Sequence, residues 1–265
     1  MTDQEGHWNP MNRINRVTEG GFYGNMYGFG APKDSSDAAM LHPLIWVDMK
    51  YDRSPAELLW VDSDKWGPLN HQLLNISYGY GKVYVVLPQT VGERMQGGMV
   101  ELPVPQFPTG LMRARFNPAD GQFYGCGMSA WATSQMIQVG GLYRIKYTGM
   151  ALNLPIEMAA TSAGITLTFS DPLDALTATN SDNFTINTWD LKRTRYYGSK
   201  RYDEQQLVID KITLMEDEKT VLLEIPTIQT TWVMEILYDL TSKDGASVKG
   251  AIQNTIYELP ESELF

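Results

Sequence analysis

Apolar and polar residues alternate along this chain in short bursts, and most bursts end at Gly, Pro, Asn or Asp. Residues 44–49, 56–62, 72–78, 82–87 and 98–102 are short, largely apolar runs with turn signals roughly every 8–12 residues, a pattern that predicts strands. Gly79-Tyr80-Gly81 supplies one tight connection between them, and 88–96 reads as a longer one. Nowhere does a helical period persist beyond two turns, so the pattern predicts an all-β chain.

Upstream, residues 12–17 alternate like a short strand. Gly20-Gly21-Phe22-Tyr23-Gly24-Asn25 reads as a glycine-hinged turn with its rings packed over the bend, or as a channel mouth where Tyr23 or Asn25 reaches a ligand. Residues 31–44 are small and polar, as in a loop. The most complete unit is 108–149: a strand at 111–116, the turn Asn117-Pro118-Ala119-Asp120-Gly121, a strand at 122–127, a longer loop, then Gly140-Gly141 and a strand at 142–147. That is the grammar of a β-propeller blade, and the preceding strands repeat it loosely. About three such blades fit in 1–149, fewer than the roughly four to eight that close a ring.

The pattern shifts after Thr148-Gly149. Strands are predicted at 156–160, 164–169, 184–189, 207–214, 220–225, 233–238 and 252–257, and 164–169 alternates as in a sheet with one wet face. A stretch of this size suits an immunoglobulin-like sandwich. The expected organisation is thus a partial β-propeller over 1–149 followed by an Ig-like β-sandwich over 150–265. The charged run 190–204 is expected on an edge or loop of the sandwich.

Composition acts mainly by exclusion. Aromatic content of 11% with 23 Gly and 14 Pro agrees with β-structure rich in turns. A balance of 21 basic to 31 acidic residues gives −10, which argues against nucleic acid or an anionic membrane as partner. The single Cys126 rules out an internal disulfide, a thiolate zinc cage and covalent haem attachment within this sequence. No apolar run approaches the roughly 20 residues of a membrane span, and the first residues lack the features of a signal peptide, so a soluble chain is expected.

Candidate chemistry is sparse. His7, His42 and His71 lack partners at metal-ligand spacing. His71 near Asp62 and Asp64 could form an acid–base pair, and the two aspartates could share calcium; a solvated turn explains all three. Cys126, between glycines, reads as a small buried residue without a base to activate it. In a propeller channel, Arg53, Lys82, Arg113 and Arg115 are the cations to meet an anionic cofactor or sugar acid, or else they pair between blades. Trp66, Tyr78, Tyr80 and Trp131 could stack on a sugar ring, or pack the blades together.

At this point several segments resemble a known family. Asn15 to Gly24 with its Gly-Gly-Phe-Tyr-Gly, Ser54-Pro55 to Trp60 followed by Trp66-Gly67-Pro68-Leu69, and Asn117 to Tyr124 with Gly141-Leu142-Tyr143-Arg144-Ile145 are similar to the blade motifs of glucose/sorbosone dehydrogenase-like propellers, the soluble quinoprotein class. The likeness spans 1–149 and is nearest to large secreted bacterial multidomain members that carry a c-type haem module. Residues 150–265 resemble the bacterial Ig-like domain that follows such propellers. The resemblance implies a sugar or aldehyde oxidoreductase holding pyrroloquinoline quinone on Arg and Lys side chains, and a periplasmic or secreted location. Its base histidine belongs to an early blade outside this sequence, so the chain alone is expected to be inactive. The alternative is a non-catalytic carbohydrate-binding or protein-interaction module of a secreted scaffold. A cut propeller leaves an open edge, which predicts self-association.

Overall fold

A computed structural model describes residues 1–129 and 137–262. The chain is all-β apart from short helical turns, and every strand pairing is antiparallel. The first three strands, β1 (Thr2–Asp3), β2 (Asn12–Ile14) and β3 (Ile45–Val47), form one small sheet. Next come β4 (Pro55–Trp60), β5 (Leu73–Ser77), β6 (Val83–Val91) and β7 (Arg94–Glu101), then β8 (Arg113–Phe116), β9 (Phe123–Met128) and β10 (Gly140–Ile145). The remainder are β11 (Pro155–Thr161), β12 (Gly164–Phe169), β13 (Phe184–Asp190), β14 (Tyr202–Leu207), β15 (Lys211–Leu214), β16 (Thr220–Glu224), β17 (Thr231–Thr241) and β18 (Ser247–Ile256).

The centre is an eight-stranded sheet in the order β14-β13-β17-β18-β7-β6-β5-β4. Its middle seam pairs Ile252 with Val100 and Thr255 with Gly97. The division drawn at 149/150 therefore does not separate two sheets: four central strands come from each side of it. One face of this sheet packs against β11-β12-β16-β15, with Val85, Val100, Ile236 and Ile252 meeting Ile165, Leu167 and Leu223 in one core. The opposite face, through Tyr84, Val86 and Met99, packs against Ile14, Ile45 and Val47 of the small sheet. None of the sheets closes on itself among the described residues, and no helix there is long and apolar enough to cross a membrane.

Three local expectations change. Residues 88–96 are not a loop: β6 and β7 run on to a two-residue turn at Gly92-Glu93, where Val91 pairs with Arg94. Pro88 fits this hairpin because Gly97 opposes it with φ +151, and any side chain there would strike the Leu87 carbonyl at 2.2 Å. The predicted strand 207–214 is two strands, because the chain leaves the central sheet after Leu207 and joins the other at Lys211.

The run 190–204 does more than skirt an edge. Arg193, with its side chain fully buried, donates to the carbonyls of Gly24 (3.0 Å), Ser35 (2.7 Å) and Ser36 (2.7 Å) and pairs with Asp37 at 3.3 Å. Arg201 lies 3.9 Å over the Trp189 ring and pairs with Asp48 at 2.7 Å. These charges fasten the first fifty or so residues to the second half of the molecule, a common use of arginine in planar, multiply bonded sites.

Candidate functional site

The sheet β10-β9-β8 carries the most unusual surface. Its turn begins with Asn117, whose carbonyl accepts the Gly121 N–H at 2.7 Å, while Gly121 itself takes φ +68. Trp66 Nε1 donates to the Gly121 carbonyl at 2.9 Å and Lys65 Nζ to that of Asp120 at 2.9 Å, so the turn is docked on the helical turn Asp64–Leu69. The Gln122 N–H and the Tyr124 hydroxyl (2.7 Å) hold the Asp120 carboxyl below its ordinary pKa.

Alternation then sorts the side chains. Ala114, Phe123, Tyr143 and Ile145 turn inward to the main core. Outward, cross-strand register makes two rows: Arg115, Tyr124 and Arg144 in one, Arg113, Cys126 and Leu142 in the next. Leu142 is 75% exposed and Met128 52%, with Ile137 and Val139 also exposed beside them. Residues 108–149 contain Arg113, Arg115, Arg144 and Lys146 against Asp120 alone, in a chain of net charge −10. The free edge of β8 is capped by Glu57, whose carboxylate accepts the Ala114 N–H and pairs with Arg115, both at 2.8 Å. An apolar patch ringed by arginine and tyrosine is the composition enriched at protein interfaces.

Of the predicted cations, Arg113 and Arg115 share this outer face. Lys82 is bound to Glu101 at 2.6 Å, and Arg53 lies beside the Gly79 turn, its carbonyl accepting the Gly79 N–H at 2.8 Å. Lys82 and Arg115 are thus in intramolecular ion pairs. Trp66 is no stacking platform: it is 2% exposed and meets Phe116 edge-on at 5.1 Å. Tyr78 donates to the Ser129 carbonyl at 3.0 Å and Tyr80 to that of Met49 at 3.0 Å, so both bridge loops. Trp131 lies outside the described residues. Cys126 is exposed rather than buried, because Phe123 and Gly125 occupy the inward positions of β9.

Next to Arg53 in the chain, Asp52 is fully buried, and burial pushes its carboxyl up to about 6. Asn75 donates to its Oδ2 at 2.8 Å, while Oδ1 has no partner. His71 is exposed and reaches Asp64 only through Asn70. Tyr23 and Asn25 do line a small cavity, of about 330 Å³, together with Arg13 and Phe29. In the sequence Arg144 stands out only as part of the Gly141–Ile145 motif and His42 only as a histidine without partners at metal-ligand spacing; the register row that ends at Arg144 is the signal that finds it. Compared with family models, curated proteins and solved structures, the chain matches none of them.

Proposed function

We propose that this chain is a non-catalytic interaction module and that the outer face of β8–β10 docks an acidic protein surface with an apolar centre. The observation that carries this reading is the face itself: Arg113, Arg115 and Arg144 around the exposed Leu142 and Met128, in a chain otherwise strongly acidic. Charge complementarity favours an acidic occupant and steers its approach, and the exposed apolar residues supply the area to be buried. The rest of the fold acts as a stiff mount. The paired orders β11-β12-β16-β15 and β14-β13-β17-β18 support an immunoglobulin-like sandwich, whose last strand continues into the meander β4–β7.

A labelled peptide of alternating Glu and Leu, blocked at both ends, is the probe. Binding should weaken with salt and fall severalfold, up to about thirtyfold by the measure of about 1 kcal/mol or less per exposed charge, when Arg113 and Arg144 are both changed to Glu, with unchanged thermal melting. Equal binding by that variant, or tighter binding of a Lys–Leu peptide, overturns the proposal. Self-association abolished by the same two changes would replace the acidic partner with a second copy of the chain.

A second reading keeps the oxidoreductase of the resemblance, in a secreted or periplasmic parent. In its favour, β4–β7 and β8–β10 are both up-and-down meanders, the shape of a propeller blade. Calorimetric titration with pyrroloquinoline quinone tests it. Saturable binding lost in Arg113→Ala or Arg115→Ala supports that reading, and no binding to the folded chain removes it.

A further inference from the structure

A cleft of about 480 Å³ shares no lining residue with the face just described. Segments remote in sequence meet around it: Arg16 and Thr18 after β2, residues 40–44 leading into β3, the β6–β7 turn, and Glu258 after β18. Its walls are held firmly. Buried Gln96 accepts the N–H groups of Tyr257 (2.8 Å) and Glu258 (3.0 Å) and donates to the Glu258 carbonyl at 2.9 Å. Across the cleft, the Leu41 N–H donates to the Phe22 carbonyl at 2.7 Å and the Leu44 N–H to that of Ile14 at 2.8 Å.

His42 is set into an aromatic frame. Its ring meets Trp232 edge-on at 5.6 Å and tilts over Tyr257 at 5.0 Å, and Trp232 stacks on Trp46. Nδ1 is shut away from solvent without a hydrogen-bond partner, which leaves Nε2 as the nitrogen that serves the cleft. Burial, then the charges of Arg94 and Arg193, lower its pKa against the opposing pull of Asp37, so the imidazole is neutral at pH 7. Arg94 is already engaged, lying over Tyr257 at 5.4 Å and pairing with Glu258 at 3.4 Å.

The Arg16 guanidinium and the Glu93 carboxylate are different. Both line the cleft, and neither forms an ion pair among the described residues, with each other or with anything else. Met40, Leu44 and Met95 provide an apolar floor between polar walls. Separated and unpaired opposite charges over an apolar floor complement a ligand with the same three features. Two thioethers on that floor adapt to more than one side-chain shape.

We propose that this cleft binds a short apolar peptide with both termini free, its carboxylate on Arg16 and its ammonium on Glu93, with His42 as an additional hydrogen-bond partner. Arg16 suits the carboxylate because a guanidinium can take both oxygens at once. The volume suits a ligand of about two or three residues. A neutral sugar would not need the two charges, and an inorganic anion would be repelled by Glu93 and Glu258.

The test is calorimetric titration with leucyl-leucine, its N-acetyl form, its C-terminal amide, and maltose. The free dipeptide should bind, and blocking either end should weaken it at least tenfold. In Arg16→Ala the amide and the free acid should bind alike; in Glu93→Gln the acetylated and free forms should bind alike. Both side chains are exposed and unpaired, so these variants should keep the wild-type circular dichroism and melting temperature. The His42 ring resonances should shift on saturation, while those of His7 and His71 stay in place. Absence of heat at millimolar dipeptide, equal binding of the blocked forms by the wild-type chain, or maltose binding in preference to the dipeptide overturns the proposal.

Discussion

The seam between β7 and β18 and the outer face of β8–β10 use the same alternation of side chains, with opposite results. At the seam both sets are buried: Val100 and Ile252 face one core, while Met99 and Thr255 face the other covering sheet. Two of its polar members hold the neighbouring sheet. The Thr255 hydroxyl accepts the Trp46 N–H at 2.9 Å, and the Gln253 side-chain carbonyl accepts the Asp48 N–H at 2.7 Å, so β18 serves the unpaired backbone of β3. On β8–β10 only one set is covered, and the other mixes arginines with exposed leucine and methionine. Thr255 and Gln253 thus serve internal partners, whereas Leu142 and Met128 leave apolar surface for the contact proposed above.

Substitutions that remove the covered side of this contrast should have the largest effects. Phe123, fully buried beneath the candidate face, should cost about 3–5 kcal/mol as Phe123→Ala, read by denaturant unfolding. A cost below about 1 kcal/mol would mean the sheet is not seated on the core as described. Arg193→Ala should cost about 3 kcal/mol, since it strands the buried Gly24 carbonyl, releases those of Ser35 and Ser36 and frees the 24–37 loop. Limited proteolysis should then cut first in that loop, and unchanged protection would refute the fastening role.

The same contrast explains what could be read in advance. Short apolar runs between turn signals located most strands, and period-two alternation gave β12 at Gly164–Phe169 with its bounds intact. It could not say which strands share a sheet, because the pairing of Val100 with Ile252 depends on contacts far apart in sequence and on faces that look alike. Pro88 and Gly92 imitated a loop, since the accommodation of Pro88 depends on the opposing Gly97. At the candidate face, Arg113 and Arg115 were legible as a pair of cations, but Arg144 joins them only through cross-strand register. Trp66 and Cys126 were misplaced in opposite directions: Trp66 is buried because its helical turn docks on the Asn117–Gly121 turn and Phe116, and Cys126 is exposed because Phe123 and Gly125 take the inward positions of β9.

Asp52 should give the next smaller effect, and one with a definite sign. Its native carboxyl titrates at about 6 instead of 3.8, so the folded chain holds that proton more tightly than the unfolded chain. The residue costs nothing below about pH 4, where both states are protonated, and destabilises increasingly as pH rises to about 6. Above that the full cost, on the order of 2–3 kcal/mol, applies. Lys82 relieves part of the penalty and Glu101 adds to it. Asp52→Asn should therefore be more stable than wild type at pH 7, with the advantage vanishing near pH 4. Parallel unfolding curves at all pH values would show that Asp52 is not buried as a charge.

The smallest stability effect should fall at the residue that matters most to the interaction reading. Leu142 is opposite Cys126 in the open face, and Thr keeps strand propensity there while removing apolar surface. Leu142→Thr should change folding stability by no more than about 0.5 kcal/mol, because little of the side chain is covered. Binding of the Glu–Leu peptide should nonetheless weaken severalfold, since the contact area disappears only from the complex. A loss of stability above about 1 kcal/mol would instead mean that the chain itself covers Leu142, leaving no open face for a partner. Chemical denaturation and the peptide titration on one variant thus separate a surface that packs at home from one that is presented outward.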